Sequence, residues 1–488
     1  MSSVTASSLG SRAARGAAFL SARTVLVQLI QVVSSVLLAR KLVPELYGAF
    51  AVGATLVGFG RIVGDCGAGN AVIQARGEEG LLTRPTLRAV HFIQLVVSLA
   101  AAGILVVAAP TLRGWFDGPS ETVPIVYVMS VALLIEAPAV VPQLRMTRAL
   151  QFERLATISI VATVSLYIAQ ILLLLVGFGV WALVLGQLLY STVYCALTIG
   201  LGGGTVWPSA RGAWVRFRRG LAYQGTQIAM GSITMPAVAI VGAVGGVDVL
   251  GLWTWSTVLV TPLINMVGNV HEIGFPTLAR LHEHHRERHG DAVALIARAL
   301  ALGIGATVGI LAGFAPEIVH IVFSDRWLPA VGAVRAALFG GIAYGFSSLL
   351  SAAVQSMGRP VARLRSFLVA GAIGLVVLAP LVDAWGTTGG AVAIYLIVPA
   401  VDLLILVAVA RAHLQRAFVN LAVVTTVSLL CSLALADHVE TFKGLLLAGA
   451  AAGLVSGAVL VATDWRGLTR SVSFLRDRGD VADQAATA

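Results

Sequence analysis

The chain is poor in charge and in cysteine, and each shortage excludes a class of protein. Only 11% of its 488 residues are charged, whereas a soluble chain has about a quarter. The three cysteines, Cys66, Cys195 and Cys431, are scattered and match no metal-binding or redox spacing. No G-x-x-x-x-G-K-[ST] sequence occurs, so the chain does not hydrolyse ATP through a P-loop.

The sequence is instead rich in long apolar runs. Hydrophobic residues make up 58% of the chain, and the mean hydropathy is +0.91. A bilayer core about 30 Å thick is crossed by about 20 helical residues. The sequence therefore predicts an all-α polytopic membrane protein with about 14 transmembrane helices, centred near residues 28, 56, 98, 130, 166, 188, 232, 257, 302, 342, 372, 399, 426 and 453.

The basic residues predict the orientation of these spans. If the N-terminus is cytoplasmic, 24 of the 33 lysines and arginines fall in cytoplasmic loops and tails, and five fall outside. The cluster Arg359, Arg363 and Arg365 is one of these cytoplasmic loops. Both termini are therefore predicted to be cytoplasmic. The net charge of +10 then faces anionic lipid headgroups and indicates no nucleic-acid partner.

The predicted spans form two halves that share a sequence pattern. ELYGAFAVGATLV (Glu45–Val57) aligns with DVLGLWTWSTVLV (Asp248–Val260) at an offset of 203, which pairs Gly48 with Gly251. The first half contains six spans, an even number, so the second half begins on the same side of the membrane as the first. This arrangement is found in parallel-repeat transporters. Chance similarity between apolar helices is the alternative.

The basic segment GTVWPSARGAWVRFRRG separates these halves and predicts an amphipathic helix at the membrane interface. The predicted parts are a cytoplasmic tail (1–16), an N-lobe of six spans (17–205), the amphipathic linker (206–221), a C-lobe of six spans (222–411), two further spans (412–463) and a cytoplasmic tail (464–488).

Several segments resemble one known family. ARKLVPELYGAFAVG followed by GDCGAGNAVIQ is similar to the opening of bacterial polysaccharide (Wzx-like) flippases, and RMTRALQFERLATIS to the segment before their fifth helix. DVLGLWTWS, FPTLARL, SDRWLPAV and QSMGRPVAR resemble their second-half motifs. The resemblance covers about residues 15–410. It implies the multidrug/oligosaccharidyl-lipid/polysaccharide exporter (MOP) superfamily, with two pseudo-symmetric six-helix lobes around a central cavity and two C-terminal helices.

The resemblance also implies a function. The substrate would be a polyprenyl-diphosphate-linked oligosaccharide, moved by alternating access from the cytoplasmic to the periplasmic leaflet for cell-surface polysaccharide biosynthesis. The location would be the bacterial cytoplasmic (inner) membrane. Further candidate partners are membrane lipids, a polysaccharide polymerase and glycosyltransferases. No cofactor is predicted beyond coupling to a proton or sodium gradient.

Ionisable residues inside spans are candidate substrate contacts, because each costs about 2.5–3.5 kcal/mol on insertion. Arg61 and Asp65 lie one helical turn apart, and Arg23 shares the first span with Gln28 and Gln31. A guanidinium binds phosphate oxygens through paired hydrogen bonds. The resemblance assigns this task to Arg23 and Arg61. The alternative is that both arginines snorkel to headgroups, with Asp65 closing a salt bridge.

Further polar residues follow in the second half. Asn265, Asn269 and Glu272 share a face of the eighth span and would bind sugar hydroxyls or join helices. Arg335 lies toward the predicted periplasmic side and is a candidate exit contact, with packing as the alternative. The histidines of HEHHRERHG (His282–Gly290) do not secure a zinc geometry, so a solvated helix is predicted there.

Glu136 and Asp402 are candidates for ion coupling. Glu136 precedes Ala137-Pro138, where a helix is expected to bend, and Asp402 follows Pro399 in the twelfth span. A carboxylate shielded from water can exchange a proton during transport. The alternative is a structural, hydrogen-bonded acid at each position.

Two other functions compete with the flippase. One is an ion-coupled drug or metabolite exporter of the same superfamily, which usually has 12 spans. The other is a membrane enzyme such as a sugar polymerase, which needs a sizeable periplasmic loop. The longest predicted periplasmic loop is the segment of about 15 residues Ala315–Ala330, so no enzyme is predicted.

Overall fold

The computed structural model describes residues 27–28, 30–65, 82–149, 151–218, 220, 233–257, 260–261, 264, 278–279, 281–283, 286–410 and 414–459, with the backbone alone at 63–65 and 286–288. In this part of the chain every regular element is a helix. Ten of the helices described are long and apolar enough to cross a membrane. The predicted all-α polytopic class is therefore confirmed.

The chain divides into two compact units. The first unit contains Leu29–Trp255 together with Leu378–Thr387. Its helices are α1 (30–41), α2 (Pro44–Asp65), α3 (Arg84–Trp115), α4 (Thr122–Glu136), α5 (Val140–Arg148), α6 (Phe152–Leu175), α7 (Trp181–Leu201) and α8 (Thr234–Trp255). A 3₁₀ turn, Ala137–Ala139, joins α4 to α5.

The second unit contains Met1–Gln28, Ser256–Val377 and Thr388–Ala488. Its helices are α9 (Arg286–Gly313), α10 (Ala315–Ile318), α11 (Val331–Ser356), most of α12 (Pro360–Ala391), α13 (Val398–Ala410), α14 (Gln415–Ala436) and α15 (Phe442–Val459). A π-helical turn, Val392–Ile397, joins α12 to α13. The predicted domain boundaries stay predictions.

Two glycines break long helical segments. Gly246 in α8 has φ 80° and ψ 175°, and Gly386 in α12 has φ 53° and ψ −128°, both outside helical geometry. Pro360–Ala410, with 51 residues, is far longer than the roughly 20 residues of one crossing. The predicted spans near 372 and 399 both fall in this segment, on either side of Gly386. The total of fourteen spans stays a prediction.

Helices α2 and α8 touch through the two glycines that the sequence repeat pairs. A Cβ atom on Gly48 would overlap the carbonyl oxygen of Val247, and one on Gly251 would overlap that of Pro44. Pro44 and Val247 are 203 residues apart, as are Gly48 and Gly251. The contact is therefore reciprocal, as it is between the two halves of a two-fold arrangement. This reciprocity supports the predicted repeat.

Helix α14 packs on α9 along a stripe of small residues. Gly305, Gly309 and Gly313 recur every four residues on α9, so they share one face. A Cβ on Gly309 would lie 2.6 Å from Cβ of Ser428 and 2.7 Å from the Thr425 carbonyl oxygen. Small residues allow two membrane helices to approach this closely. In contrast, the Gly453–Gly457 pair of α15 has only Ile310 near it, at 4.0 Å from a Cβ on Gly453.

Two segments differ from their predicted form. In the described part of the linker, residues 213–218 and 220 are helical, whereas residues 204–210, which follow the left-handed Gly203, run without regular structure along α3. Arg88 donates to the Trp207 carbonyl at 3.0 Å and so holds that stretch. The predicted loop Ala315–Ala330 is also wrong. It forms α10, a π turn and a 3₁₀ helix, anchored by the fully buried Trp327.

Candidate substrate-binding site

An arginine and a glutamate pair inside the first unit. Arg61, in the last turn of α2, donates from Nε to Oε2 of Glu136 at 2.8 Å and from Nη2 to Oε1 at 2.7 Å. Ser191 on α7 donates to Oε1 of the same carboxylate at 2.6 Å. The side chains of Arg61 and Glu136 keep 33% and 20% of their surface exposed. The pair is therefore joined by two hydrogen bonds and remains partly accessible to a ligand.

The local sequence explains the position of Glu136. Pro138 cannot donate a backbone hydrogen bond, so α4 ends at Glu136 and a 3₁₀ turn follows. The predicted irregularity at Ala137-Pro138 is thus a 3₁₀ turn, and a bend there stays a prediction. The turn leaves Glu136 at a helix end, facing α2 and α7.

The pair opens into the first pocket, a cavity of about 360 Å³. Its volume falls in the range of about 300–1,000 Å³ found for small-molecule sites. Tyr190 and Tyr194 line one side, with ring centroids 6.0 Å apart and planes inclined by 12°. The residues that line the first pocket come from α2 to α7: Arg61, Gln94, Ser98, Leu133, Glu136, Ala139, Val140, Gln143, Ser159, Tyr190 and Tyr194.

The first pocket lies toward one end of the unit. Gln94 is in the first half of α3, which begins at Arg84, and Gln143 is in α5, which ends at Arg148. Tyr194 is in the second half of α7. Gln94 is therefore nearer to the end of α3 that carries Arg84 and Arg88, and within the span Thr122–Arg148 Gln143 is nearer to the end that carries Arg145 and Arg148.

The second unit contains a second, smaller pocket built around another charge pair. Asp402 on α13, 3% exposed, accepts from Nη1 of Arg363 at 3.1 Å and from Oγ of Ser366 at 2.7 Å, and it also accepts from Ser347. The prediction that Arg363 lies in a cytoplasmic loop is wrong. Residue 363 is in the first turn of α12, and its side chain turns inward, leaving 17% exposed.

The second pocket is mostly apolar. It has a volume of about 180 Å³, and the ring of Phe367 lies under the Arg363 guanidinium, 5.3 Å from its carbon to the ring centroid. The residues that line it are Thr257, Val260, Ile264, Ala337, Gly340, Gly341, Tyr344, Ser347, Arg363, Phe367, Ile394, Tyr395, Val398, Pro399 and Asp402.

The two pockets occupy equivalent positions in the two halves of the sequence. Seven residues that line the first pocket each have a counterpart 204 positions later that lines the second. These pairs are Leu133 and Ala337, Glu136 and Gly340, Val140 and Tyr344, Gln143 and Ser347, Ser159 and Arg363, Tyr190 and Ile394, and Tyr194 and Val398. One inserted residue accounts for the difference from the offset of 203 at Gly48. The repeat thus extends from the helix contact to the pockets.

The remaining predicted site residues are placed as follows. Gln28 and Gln31 are half-buried, before and within α1. Arg335 on α11 donates from Nε to the Ala312 carbonyl at 2.9 Å, which ties it to the end of α9. Its role as an exit contact stays a prediction. Arg23, Asn265, Asn269, Glu272 and the side chain of Asp65 lie outside the described residues.

Several residues of these sites are not predicted from the sequence, among them the serines on the two carboxylates, Tyr190, Tyr194 and Arg363. Tyr190 and Tyr194 are four residues apart in an apolar span, a spacing that places both on one helix face. Arg363 is assigned to a loop in the sequence prediction because it clusters with Arg359 and Arg365 between two apolar spans. Its spacing from Ser366 is the signal that could have indicated an inward face.

The histidine-rich segment is less solvated than predicted. His289 is 7% exposed, and its Nε2 lies 3.0 Å from Oγ of Ser356 on α11. His284 and His285 lie outside the described residues, and in the rest no group of three potential ligands could hold a metal ion.

Comparison with known proteins identifies similar sequences and folds. The profile of a family described as "Polysaccharide biosynthesis protein" matches residues 37–332. The succinoglycan biosynthesis transport protein ExoT of Rhizobium meliloti (strain 1021) is 30% identical over 158 residues, which are 32% of this chain. The match spans 31% of the length of that relative.

Two solved structures share the fold. The lipid II flippase MurJ, in an inward closed conformation, superposes with a TM-score of 0.74 at 14% identity, covering 91% of this chain and 99% of that one. An inward-facing multidrug resistance MATE family transporter of the MOP superfamily superposes with a TM-score of 0.58 at 16% identity, covering 81% and 95%. The fold is thus one used by membrane transporters.

Proposed function

The chain belongs to the polysaccharide biosynthesis protein family, and on that premise we propose that it is a flippase for a polyprenyl-diphosphate-linked oligosaccharide. The family match covers more than half of the chain and confirms the resemblance noted in the sequence. In the proposal the substrate moves from the cytoplasmic to the periplasmic leaflet of the bacterial inner membrane by alternating access.

The Arg61–Glu136 pair in the first pocket is the observation that carries this proposal. A charged arginine inside a span is costly unless a partner and a cavity accommodate it, and Arg61 has both. Glu136 and Ser191 engage Nε and Nη2, which orients the guanidinium. The proposal assigns the third nitrogen, Nη1, to a diphosphate oxygen.

The glutamate gives the proposed site a moderate affinity. An arginine without a counter-charge would hold a diphosphate tightly, and a transporter must also release its substrate. Because Glu136 already neutralises much of the Arg61 charge, the diphosphate gains only part of the attraction. This balance suits a carrier better than a storage site.

The direction of transport rests on the position of the first pocket. Gln94 and Gln143 lie toward the arginine-bearing ends of α3 and of the span Thr122–Arg148, and such ends are usually cytoplasmic. A substrate assembled in the cytoplasm would therefore load there. Coupling to a proton or sodium gradient at Glu136 or Asp402 remains part of the proposal. An entering cation would have to compete with Arg61 or Arg363 for these carboxylates.

The test measures lipid-linked glycans in cells that lack the protein and are complemented with variants. We expect intermediates to accumulate on the cytoplasmic leaflet of the deletion strain and wild type to clear them. Arg61→Ala should clear them at least about tenfold more slowly, which corresponds to about 1.4 kcal/mol. Arg61→Lys should also be slow, because lysine lacks the planar fork that binds Glu136 at two points.

Arg154→Ala is the matched control. Arg154 is exposed, and its Nη1 bonds only one helical turn away, to Gln151. We expect this variant to behave as wild type at equal expression. Full complementation by Arg61→Ala would remove Arg61 from the site. Absence of any accumulated intermediate in the deletion strain, with no second flippase present, would overturn the flippase proposal and favour the exporter.

A further inference from the structure

The second unit contains a third pocket, a cavity of about 460 Å³. None of the described residues that line it also lines the first or the second pocket. Its described lining includes two arginines, Arg298 of α9 and Arg416 of α14, and one carboxylate, that of Asp291. These side chains give the third pocket an excess of positive charge.

The third pocket lies at the level where four candidate spans begin or end. The span of α9 begins at His289 and that of α14 begins at Gln415, and both residues line the pocket. The span that contains α13 ends at Ala410, and that of α11 ends at Ser356, next to the lining residue Met357. Such ends mark the boundary between the bilayer core and the headgroup region. The third pocket is therefore at the depth of the lipid phosphates.

The two arginines lie at the same level on adjacent helices. On the packed faces of α9 and α14, Gly309 meets Ser428 and Gly313 meets Ser432, so the helices run in the same direction with partners 119 positions apart. By this offset, position 298 of α9 is level with position 417 of α14, directly after Arg416. Both guanidinium groups can therefore reach a single ligand in the cavity that they line.

Neither arginine is engaged by another group of the protein. In the described part of the chain, no hydrogen bond or ion pair involves the side chain of Arg298 or of Arg416. Arg298 is half-buried and lies nine residues inside its candidate span, where a charge is costly unless a partner or a polar cavity accommodates it. In contrast, Arg363 of the second pocket is paired with Asp402. The third pocket thus offers unused charged donors.

The first half of the sequence shows that the fold does not require this cavity. At the offset of 204 that relates the first two pockets, the lining residues Val293 and Ala417 correspond to Ala89 and Ala213. Ala89 and Ala213 are buried together in one apolar cluster. The counterparts of the two arginines are both uncharged, Gln94 and Gly212. The positive charge at this place is therefore specific to the second half.

We propose that the third pocket binds the phosphate group of an anionic membrane lipid. Guanidinium groups bind phosphate oxygens through paired hydrogen bonds, and basic pockets between membrane helices bind anionic headgroups. The excess positive charge favours phosphatidylglycerol over a zwitterionic headgroup, which carries a cation of its own. A bound phosphate joins α9 to α14 at the end of their contact that lacks the glycine stripe. This inference does not depend on the substrate proposed for the first pocket.

The test measures the unfolding temperature of the purified full-length protein in detergent. The probes are phosphatidylglycerol, phosphatidylcholine and inorganic phosphate, each titrated separately, because a ligand that binds the folded state raises its stability. We expect phosphatidylglycerol to act at concentrations about tenfold lower than phosphatidylcholine, and inorganic phosphate to have no effect. Equal stabilisation by inorganic phosphate would overturn the lipid assignment and place a free phosphate in the pocket.

Substitutions in the lining should change the lipid response in opposite directions. Arg298→Gln and Arg416→Gln each remove a charged donor, so each should raise the phosphatidylglycerol concentration for half-maximal stabilisation by about tenfold. Arg416 is exposed, so its replacement should not impair folding. Asp291→Asn removes the carboxylate and should lower the same concentration several-fold. A weaker response in Asp291→Asn would contradict binding of an anion.

Arg359→Gln is the matched control. Arg359 is an exposed arginine at the same end of the second unit, between α11 and α12, and it does not line the third pocket. We expect this variant to respond to phosphatidylglycerol as wild type does. An equal loss in Arg359→Gln, or an unchanged response in both Arg298→Gln and Arg416→Gln, would show that the lipid binds surface charge in general and would overturn the site. Absence of any stabilisation of wild type by phosphatidylglycerol would also overturn it.

Discussion

Asp402 could be predicted as a functional residue from the sequence, whereas its ion-pair partner Arg363 could not. Arg363 lies 39 positions earlier and was counted with its neighbours as a loop arginine. The structure joins the two across α12 and α13, with Ser347 and Ser366 on the same carboxylate. Local sequence spacing predicts contacts within a helix, but a contact between helices depends on their packing. Arg61 and Glu136 were likewise both selected, for different roles, and the structure shows them as one pair.

Removing one partner of the buried Arg363–Asp402 pair should strongly destabilise the protein. Asp402→Asn leaves Arg363 charged and only 17% exposed, so we expect a loss of about 3–5 kcal/mol in the free energy of unfolding. The double replacement Arg363→Met/Asp402→Leu should recover most of this loss, because it removes both charges. Thermal unfolding in detergent measures both effects.

An exposed pair supplies the control for that series. His320 and Asp325 keep 63% and 67% of their side-chain surface exposed, so Asp325→Asn should cost about 0–1 kcal/mol. If Asp402→Asn is equally mild, the pair is not structural. If the double variant regains stability but not transport, Asp402 has the coupling role that the sequence suggested.

At the scale of helices, the irregularity at one proline could be predicted from the sequence, whereas the effect of the glycines before the linker and the contacts between helices could not. The 3₁₀ turn at Pro138 follows from its missing backbone N–H. The linker was predicted as one helix from its Trp, Phe and Arg spacing, but Gly203 and Gly204 and the contacts to α3 keep its first part irregular. Gly453 and Gly457 match the GxxxG packing motif but have no close neighbour in another helix. The close contact, between α9 and α14, is made by Gly305, Gly309 and Gly313, which the sequence analysis did not single out.

Docking of α14 on α9 should depend on Gly309. A side chain there would meet Ser428 and the Thr425 carbonyl, so Gly309→Val should destabilise the protein by about 1–3 kcal/mol. Unfolding temperature in detergent and proteolysis in the α14–α15 turn report the change. Gly303→Val is the matched control, since nothing lies within 4 Å of a Cβ on this exposed glycine of the same helix. Equal effects of the two variants would contradict close packing at Gly309.

At the scale of the whole molecule, the internal repeat was readable because it is a property of the chain itself. A short alignment around Gly48 and Gly251 gave an offset that also relates the lining of the two pockets, within one residue. The difference between the pockets could not be read in this way, because it depends on which helix faces meet. The first pocket is the more polar of the two, and the second is mostly apolar beside a buried ion pair.

The reciprocal contact predicts that Gly48 and Gly251 respond alike to substitution. A methyl group at either position would overlap a carbonyl oxygen of the facing helix, and backbone cannot move aside as a side chain can. We expect Gly48→Ala and Gly251→Ala each to cost about 1–3 kcal/mol in unfolding free energy and to lower the folded yield to a similar degree. Gly58→Ala on α2 meets nothing within 4 Å and should instead stabilise by about 0.5–1 kcal/mol, because alanine favours a helix. If only one of the two repeat glycines is sensitive, the contact is not reciprocal, and the two-fold relation between α2 and α8 would have to be abandoned.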